Sequence, residues 1–175
     1  QGLESVIEAA KLLPNGNARI VFMGDGTDKP RLEGLVSQSG LGERVQFVDR
    51  QPMERMPAFM AATDALLVNL KRSELTKYVI PSKTVAYLAS GKPILMAAGG
   101  AAEDLINEAN AGIAVEPENA EALAVAIEKM RLMPPEALSS LGENGRRFLV
   151  ENLSKHEVIE RYTALLKSVA EEWKK

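Results

Sequence analysis

The sequence contains no cysteine among its 175 residues and a single histidine, His156. The absence of cysteine excludes disulfides, thiolate nucleophiles and cysteine-bound metals, and it fits a reducing compartment. A single histidine makes a histidine-based metal site or a Ser-His-Asp triad very improbable. We therefore expect no metal site in this chain.

The charge and hydropathy of the chain exclude two further classes of protein. Acidic and basic residues number 24 and 21, and the net charge of −3 argues against nucleic acid as a partner. No apolar run approaches the roughly 18 residues that a membrane-spanning helix needs. The first residues, Gln1–Glu4, lack the charged and apolar segments of a signal peptide. We expect the chain to be a piece of a longer cytoplasmic protein, with Gln1 lying inside a domain.

Five short apolar runs alternate with helical patterns along the chain. The runs predict strands at residues 18–23, 45–48, 64–70, 92–97 and 112–115. Apolar residues spaced by three and four positions predict helices at 3–13, 29–40, 53–62, 82–90, 102–110, 120–133, 136–150 and 154–175. Pro14, Asn15 and Gly16 are expected to end the first helix, and Ser154 has capping-box spacing to Glu157 at the start of the last one.

Strands that alternate with helices form right-handed crossovers, and therefore a parallel sheet with helices on both faces. A chain of this length buries about 70% of its unfolded surface, which is enough for one core. We predict one α/β domain over residues 1–175, built on a Rossmann-like, doubly wound parallel sheet. Its first element is a helix, so the pattern shows no strand before it.

Loops that follow the strands are the first place to look for a ligand site, because doubly wound sheets bind ligands at the carboxyl ends of their strands. Gly24 and Gly26 allow a close approach of the backbone to a ligand, although two glycines also simply complete a strand-to-helix turn. Asp49 and Arg50 follow the second strand, and Glu74 follows the third. Each is an ordinary surface residue by itself, but together they surround one edge of the sheet.

The start of the helix predicted at 82–90 is the strongest local signal. Ser82 is expected to cap this helix, whose unpaired N–H groups and positive dipole end face the same edge of the sheet. Lys83 is unfavourable in a first helical turn unless an anion lies there. A diphosphate would bring the N–H groups, the dipole and an ammonium together on one ligand, while the alternative is a solvated lysine.

Seven blocks of the sequence match a known family in order and spacing. They are GLESVIEAA at 2–10, IVFMGDG at 20–26, VQFV at 45–48, ATDALLV at 62–68, PSK at 81–83, YLASGKPI at 87–94 and GIAVEP at 112–117. Together they resemble the C-terminal half of retaining glycosyltransferases with the GT-B fold, the glycosyl transferases group 1 family. The resemblance is strongest to bacterial enzymes of surface-polysaccharide assembly, such as fucosamine transferases.

The resemblance implies that this half binds a nucleotide sugar, above all a UDP-sugar, while an N-terminal domain binds a glycan or lipid-linked acceptor. It implies transfer of a hexosyl or N-acetylhexosaminyl group with retained anomeric configuration, with no metal ion and no cofactor. It also implies a cytoplasmic enzyme that can lie at the inner face of the cell membrane. Without the N-terminal domain we expect this half to be inactive.

The resemblance also assigns roles by position in the sequence. Gly24 and Gly26 would line the donor cleft, and Asp49, Arg50 and Gln51 would hold the base. The loop from Glu74 to Lys83 would contact the sugar and the diphosphate, with these two residues as the catalytic candidates. Further donor contacts would come from Tyr78, Pro81, Ser82 and Thr84.

The sequence departs from the family pattern in this loop. Many members carry two acidic residues with seven residues between them, and the second acid holds the ribose hydroxyls. The corresponding positions here are Tyr78 and Ala86, and neither is acidic. Glu74 would stand in for the first acid, whereas nothing replaces the second. The Arg and Lys that usually hold the diphosphate belong to a part that precedes Gln1.

Two other functions stay open at this point. A sugar-nucleotide epimerase would use the same fold without an acceptor. A non-enzymatic module such as a receiver would place an aspartate, here Asp49, after a strand, but the additional C-terminal helices do not suit it. The last helix, at 154–175, carries an apolar stripe, which we expect to reach towards the N-terminal domain and to cause self-association in its absence.

Overall fold

The computed structural model describes residues 1–14 and 18–173, in which five strands alternate with eight helices. The strands are β1 (Ile20–Met23), β2 (Val45–Val48), β3 (Leu66–Asn69), β4 (Ile94–Ala97) and β5 (Gly112–Val115). The helices are α1 (Glu4–Leu12), α2 (Lys29–Gln38), α3 (Met56–Ala61), α4 (Ser82–Ser90), α5 (Ala101–Glu108), α6 (Ala120–Arg131), α7 (Pro135–Asn152) and α8 (Lys155–Glu172). Short 3-10 turns cover Met53–Arg55 and Leu75–Tyr78.

All predicted elements are present, and most differ from the prediction only by a few residues at their ends. The helix predicted at 82–90 and the strands predicted at 45–48 and 112–115 match α4, β2 and β5. The predicted end of the first helix at Asn15 and Gly16 lies outside the described residues. The loop between β3 and α4 contains the second 3-10 turn, Leu75–Tyr78.

The strands are parallel, but they do not form the single ladder that the sequence predicts. β1 pairs with β2, and β3, β4 and β5 pair in that order. Among the described strands, no hydrogen-bonded ladder joins β1 to β3. Adjacency of strands depends on pairing between distant residues, which the apolar pattern of each run does not encode.

Helices cover these strands and produce the doubly wound α/β architecture that the sequence predicts. All four residues of β4 are buried, as expected for a strand with both faces covered. Helices α4 and α5 pack on one face of β3–β5, and α6 packs on the other. Helix α1 connects the two groups of strands, because its buried face packs against Ile20 and Phe22 of β1 as well as Leu67 of β3.

Two helix starts test the predicted caps. Ser154 caps α8 as predicted, since its side-chain oxygen accepts a hydrogen bond from the backbone N–H of Glu157. The predicted cap at Ser82 is wrong: Ser82 is the first helical residue, and the N-cap is Pro81 with an extended backbone (φ −59°, ψ 135°). Proline fixes φ and keeps the preceding chain out of the helix, so α4 begins without a side-chain cap.

Helix α8 carries the predicted apolar stripe on its exposed surface. Its main packing partner is α7. The large apolar residues of the stripe are exposed: Val158, Ile159, Tyr162, Leu165, Leu166, Val169 and Trp173. In the described part of the chain, no helix combines the length and apolar character needed to cross a membrane.

Candidate functional site

The candidate residues lie at one edge of the sheets. The strands are parallel within each sheet, and the start of α1 brings the two carboxyl ends together, because Gln1 and Gly2 contact Asn69 at the end of β3 while Glu4 contacts Arg31 after β1. This edge, called the carboxyl edge below, comprises the loops that follow β1 to β5 and the starts of α1 and α4. Each loop reaches its position directly from a strand. The rigid strands therefore position the side chains that these loops carry.

Gly24 needs its glycine for backbone reasons and leaves space above it. Its φ of 137° lies in the region that L side chains rarely adopt. Its N–H donates to the carbonyl oxygen of Val48 (2.9 Å), which extends the pairing of β1 with β2 by one residue. A Cβ added at Gly24 or Gly26 would meet no atom within 4 Å. The backbone here is therefore open to a ligand.

An ion pair joins the loops after β1 and β2. The Lys29 ammonium donates to a carboxylate oxygen of Asp49 at 2.5 Å. This hydrogen bond lowers the pKa of Asp49 and raises the pKa of Lys29. The Asp49 side chain is 84% exposed, so the pair is solvated and contributes little to stability. Lys29 was missed by the sequence analysis, since it lies 20 residues from its partner.

Residues Arg50 and Gln51 differ in how firmly they are held. The Gln51 amide donates to the backbone oxygen of Asp49 (3.1 Å), and its side-chain oxygen accepts from Arg55 (2.9 Å). Arg50 is exposed. Gln51 thus shapes this loop, while the Arg50 guanidinium points to solvent and is available to a ligand.

The loop after β3 packs against the loops after β4 and β5. The backbone N–H of Arg72 donates to the carboxylate of Glu118 (2.9 Å), and its guanidinium donates to Glu116 (3.0 Å). A Cβ added at Gly100 would overlap the carbonyl oxygen of Lys77. These contacts hold the loop from two sides, and each joins residues that are far apart in the sequence.

Two candidates in this loop face solvent. The Glu74 side chain is 86% exposed and pairs with Lys77 at 2.8 Å. Tyr78 is 81% exposed. The structure therefore places both where they can meet a ligand above the edge. Ala86, at the position of the missing second acid, is also exposed.

The start of α4 combines an open helix end with a partly buried cation. Lys83 is half-buried and donates to the side-chain oxygen of Gln1 at 3.0 Å. Burial lowers the pKa of Lys83. No carboxylate among the described residues forms an ion pair with it. An anion bound here would therefore offset the cost of desolvating this ammonium.

The neighbours of Lys83 in this turn differ in exposure. Ser82 is exposed and Pro81 is half-buried. Thr84 is fully buried, and its hydroxyl has no hydrogen-bond partner among the described residues. Thr84 therefore belongs to the core side of α4, which disfavours the direct ligand contact expected from the sequence.

The start of α1 lies between the two sets of candidates. Gln1 contacts Lys83, and a Cβ added at Gly2 would lie 3.0 Å from Lys71 in the loop after β3. On the other side, Arg31 of α2 forms an ion pair with Glu4. Among the described residues, no hydrogen bond runs directly from 24–51 to 74–84. The site thus consists of two patches joined through the start of α1.

One polar residue of this edge is buried and was missed. Asn69 ends β3 and is 2% exposed. Its amide donates to the backbone oxygens of Gln1 (2.7 Å) and Gly2 (3.0 Å). The only sequence signal was a polar residue within the apolar run at 64–70.

Two other features lie outside this site. A groove of about 810 Å³ runs between the end of α1 and α6, at the opposite edge of the sheets, and contains no candidate residue. Within the described ranges, one group of three possible metal ligands comes together, His156, Glu157 and Glu160. These residues lie on α8 and belong to no loop of the carboxyl edge.

Comparison with known proteins identifies one family. The family described as Glycosyl transferases group 1 matches residues 1–148. The chain is 30% identical to "Probable glycosyltransferase WbjE" from Pseudomonas aeruginosa over 178 aligned residues, which cover 99% of this chain and 43% of that protein. It is 38% identical to "Putative colanic acid biosynthesis glycosyl transferase WcaI" from Escherichia coli K12 over 77% of this chain and 33% of that protein.

Solved structures show the same fold. Anabaena Alr3699/HepE, crystallised in complex with UDP, superposes with a TM-score of 0.80 at 20% identity, covering 95% of this chain and 45% of that one. WaaG, a glycosyltransferase involved in lipopolysaccharide biosynthesis, superposes with a TM-score of 0.69 at 23% identity, covering 84% and 38%. The chain spans less than half the length of these proteins. Its architecture is that of one half of a GT-B glycosyltransferase.

Proposed function

The chain belongs to the glycosyl transferases group 1 family, and from this we propose that it is the donor-binding half of an enzyme that transfers a sugar from a UDP-sugar. The acceptor we propose is a glycan or a lipid-linked glycan, and the transfer retains the anomeric configuration. The observation that supports donor binding most directly is Lys83, a half-buried ammonium at the open N-terminus of α4.

The chemistry of the donor explains why this arrangement suits it. The first N–H groups of a helix have no intrahelical partner, and the helix dipole adds positive potential at that end. The Lys83 ammonium adds a full charge beside them. A diphosphate carries several oxygens that accept such donors, so it fits the start of α4 better than a neutral ligand does.

The same groups would act in the transfer step. The bond between the anomeric carbon and the phosphate oxygen breaks, and its electron pair leaves with the nucleoside diphosphate. The acceptor hydroxyl oxygen forms the new bond to that carbon, and its proton passes to an oxygen of the departing diphosphate. Negative charge therefore grows on the diphosphate in the transition state, where Lys83 and the N–H groups of α4 stabilise it. Glu74, which is exposed beside this helix, would contact the sugar hydroxyls.

The other patch of the site would hold the nucleoside. Anabaena HepE was crystallised both with UDP and with UDP-glucose, which supports a uridine nucleotide for this related fold. Here Gly24 and Gly26 leave open backbone, and Arg50 offers hydrogen-bond donors beside it. Gln51 would contact the base only by exchanging its bonds to Asp49 and Arg55. We propose that the base lies above this patch.

We further propose that the half described here lacks transferase activity by itself, because the acceptor would bind elsewhere in the longer protein. Its place of action would be the cytoplasm, with any contact to the inner face of the membrane made through the acceptor-binding part. An epimerase would convert the nucleotide sugar without any acceptor. Product analysis of the full-length enzyme with and without an acceptor separates these two activities.

The test of donor binding is the stability of this chain with UDP, GDP, ADP and inorganic diphosphate. UDP at about one hundred times its dissociation constant should add about 2.7 kcal/mol to the free energy of unfolding. The K83A variant should lose this response, whereas K129A, which removes an exposed lysine of α6, should keep it. A wild-type chain that responds to none of the four ligands, with the same result for the full-length protein, would refute the proposal.

A further inference from the structure

Asn69 links the end of β3 to the start of α1. Its side-chain nitrogen donates to the backbone oxygens of Gln1 (2.7 Å) and Gly2 (3.0 Å) and lies 3.4 Å from the hydroxyl of Ser5. The Ser5 hydroxyl and N–H also donate to the oxygen of Gly2. The turn before α1 is therefore held by side chains as well as by its own backbone.

The side-chain oxygen of Asn69 lowers the stability of the folded chain, so stability alone does not explain an asparagine at this position. Its side-chain oxygen is buried and has no hydrogen-bond partner among the described residues. A buried acceptor without a partner costs roughly 1–3 kcal/mol. An apolar side chain of similar size would avoid that cost, since Asn69 is buried and its partner in β4, Ala97, is buried and apolar. The contacts of its nitrogen are what distinguish Asn69 from such a residue.

Those contacts also reach the proposed phosphate site. The Gln1 backbone oxygen accepts from Asn69, and the Gln1 side chain accepts from the Lys83 ammonium. A short chain of hydrogen bonds thus connects β3, the start of α1 and the start of α4. Gly2 bends the backbone within it, with a φ of 69°.

We propose that Asn69 is a positioning residue for the diphosphate, which it serves by aligning the start of α1 with Lys83 and the start of α4. This inference rests on the proposed function, since it assumes that the diphosphate binds there. Asn69 does not contact the ligand itself. Its loss would remove the side-chain donor from the Gln1 oxygen, while the Gly2 oxygen would keep only its bonds from Ser5. The turn would then no longer be tied to β3 and could move away from Lys83.

The experiment compares UDP with uridine on the full-length protein, by calorimetric titration or ligand-observed NMR. The variants are N69A, which removes the donor, and N69D, which keeps the size but opposes an oxygen to two carbonyl oxygens. The matched control is N144A, because the amide of Asn144 also donates to a backbone oxygen, that of Asn110, at the opposite edge of the sheets. Misalignment of Lys83 and the start of α4 would weaken their hydrogen bonds to the charged diphosphate. We therefore expect the dissociation constant for UDP to rise by about tenfold or more in both Asn69 variants.

The uridine titration separates positioning from a general structural role. Under the proposal, the affinity for uridine stays within about twofold of wild type. An equal loss for uridine and UDP, or no loss for either, would overturn it. If the Asn69 variants do not fold, the G2A variant takes their place, because its added Cβ disturbs the same turn from the side of Lys71. A loss of affinity for UDP but not for uridine in G2A supports the proposal, and any other pattern overturns it. A wild-type protein that binds neither ligand would instead refute the proposed function, and this inference with it.

Discussion

Replacing Gly100 by alanine should both destabilise the chain and displace the loop after β3, which carries Glu74 and Lys77. Gly100 precedes α5 with φ 68° and ψ −140°, a conformation that is strained for any other residue. Strain of this kind costs about 1–3 kcal/mol. The added Cβ would also overlap the backbone of Lys77, and overpacking costs about 1–3 kcal/mol. The expected loss is therefore about 2–6 kcal/mol of a total stability of about 5–15 kcal/mol.

The matched control is G34A, for which the same reasoning predicts a change of opposite sign. Gly34 lies within α2, and a Cβ there would meet no atom within 4 Å. Alanine is favoured over glycine inside a helix by about 0.5–1 kcal/mol. Urea unfolding followed by circular dichroism measures both variants on the same scale. G34A should unfold at a higher urea concentration than the wild type, and G100A at a lower one.

UDP binding completes this test, because the overlap at Gly100 would push the loop that carries Glu74 and Lys77. G100A should weaken UDP binding, whereas G34A should leave it unchanged. A G100A variant that loses less than about 1 kcal/mol of unfolding free energy and binds UDP as the wild type does would contradict this prediction. That result would mean that the loop does not rest on Gly100.

Three further predictions follow from the site and from α8. Lys29 holds the pKa of Asp49 below its usual value. The small contribution of this ion pair to stability is therefore present above about pH 3.9 and is lost as the pH falls through the lower pKa of the folded chain. In K29M, a carboxyl NMR titration should show a higher pKa for Asp49, and an unchanged pKa would contradict the role given to Lys29. EDTA should not alter UDP affinity, because in the proposed site Lys83 and the N–H groups of α4 would provide the positive charge; a loss of affinity that a divalent cation restores would contradict this. The exposed apolar stripe of α8 should make the chain self-associate at high concentration, as measured by light scattering, and the L165E variant should abolish this association. A wild-type chain that stays monomeric would contradict the prediction.

Much of the fold could be predicted from local patterns in the sequence. Consecutive apolar residues identify buried strands such as β4, and the limits of α4 follow from Pro81 before it and Gly91 after it, where the backbone has a φ of 71°. The pairing of strands could not be read in this way. The separation of β1–β2 from β3–β5 depends on contacts between strands and on the packing of α1.

The candidate site shows the same limit. Glycines after β1 and a lysine at the start of α4 are local signals, and the sequence located them correctly on the carboxyl edge. The contacts that hold the edge together join distant residues: Arg72 with Glu118 across 46 positions, and Asn69 with Gln1 across 68. Ser82 was misjudged as a cap because a capping residue and a first helical residue look alike in sequence when proline precedes them.

The most direct test of donor binding is an NMR titration of the lysine side chains with UDP, repeated with uridine. Burial lowers the pKa of Lys83 in the free chain. A diphosphate bound at the start of α4 should shift the Lys83 signal and raise this pKa, because a nearby anion favours the ammonium. Uridine should leave both unchanged. A Lys83 signal that does not respond, while UDP binds and shifts other residues, would contradict the account.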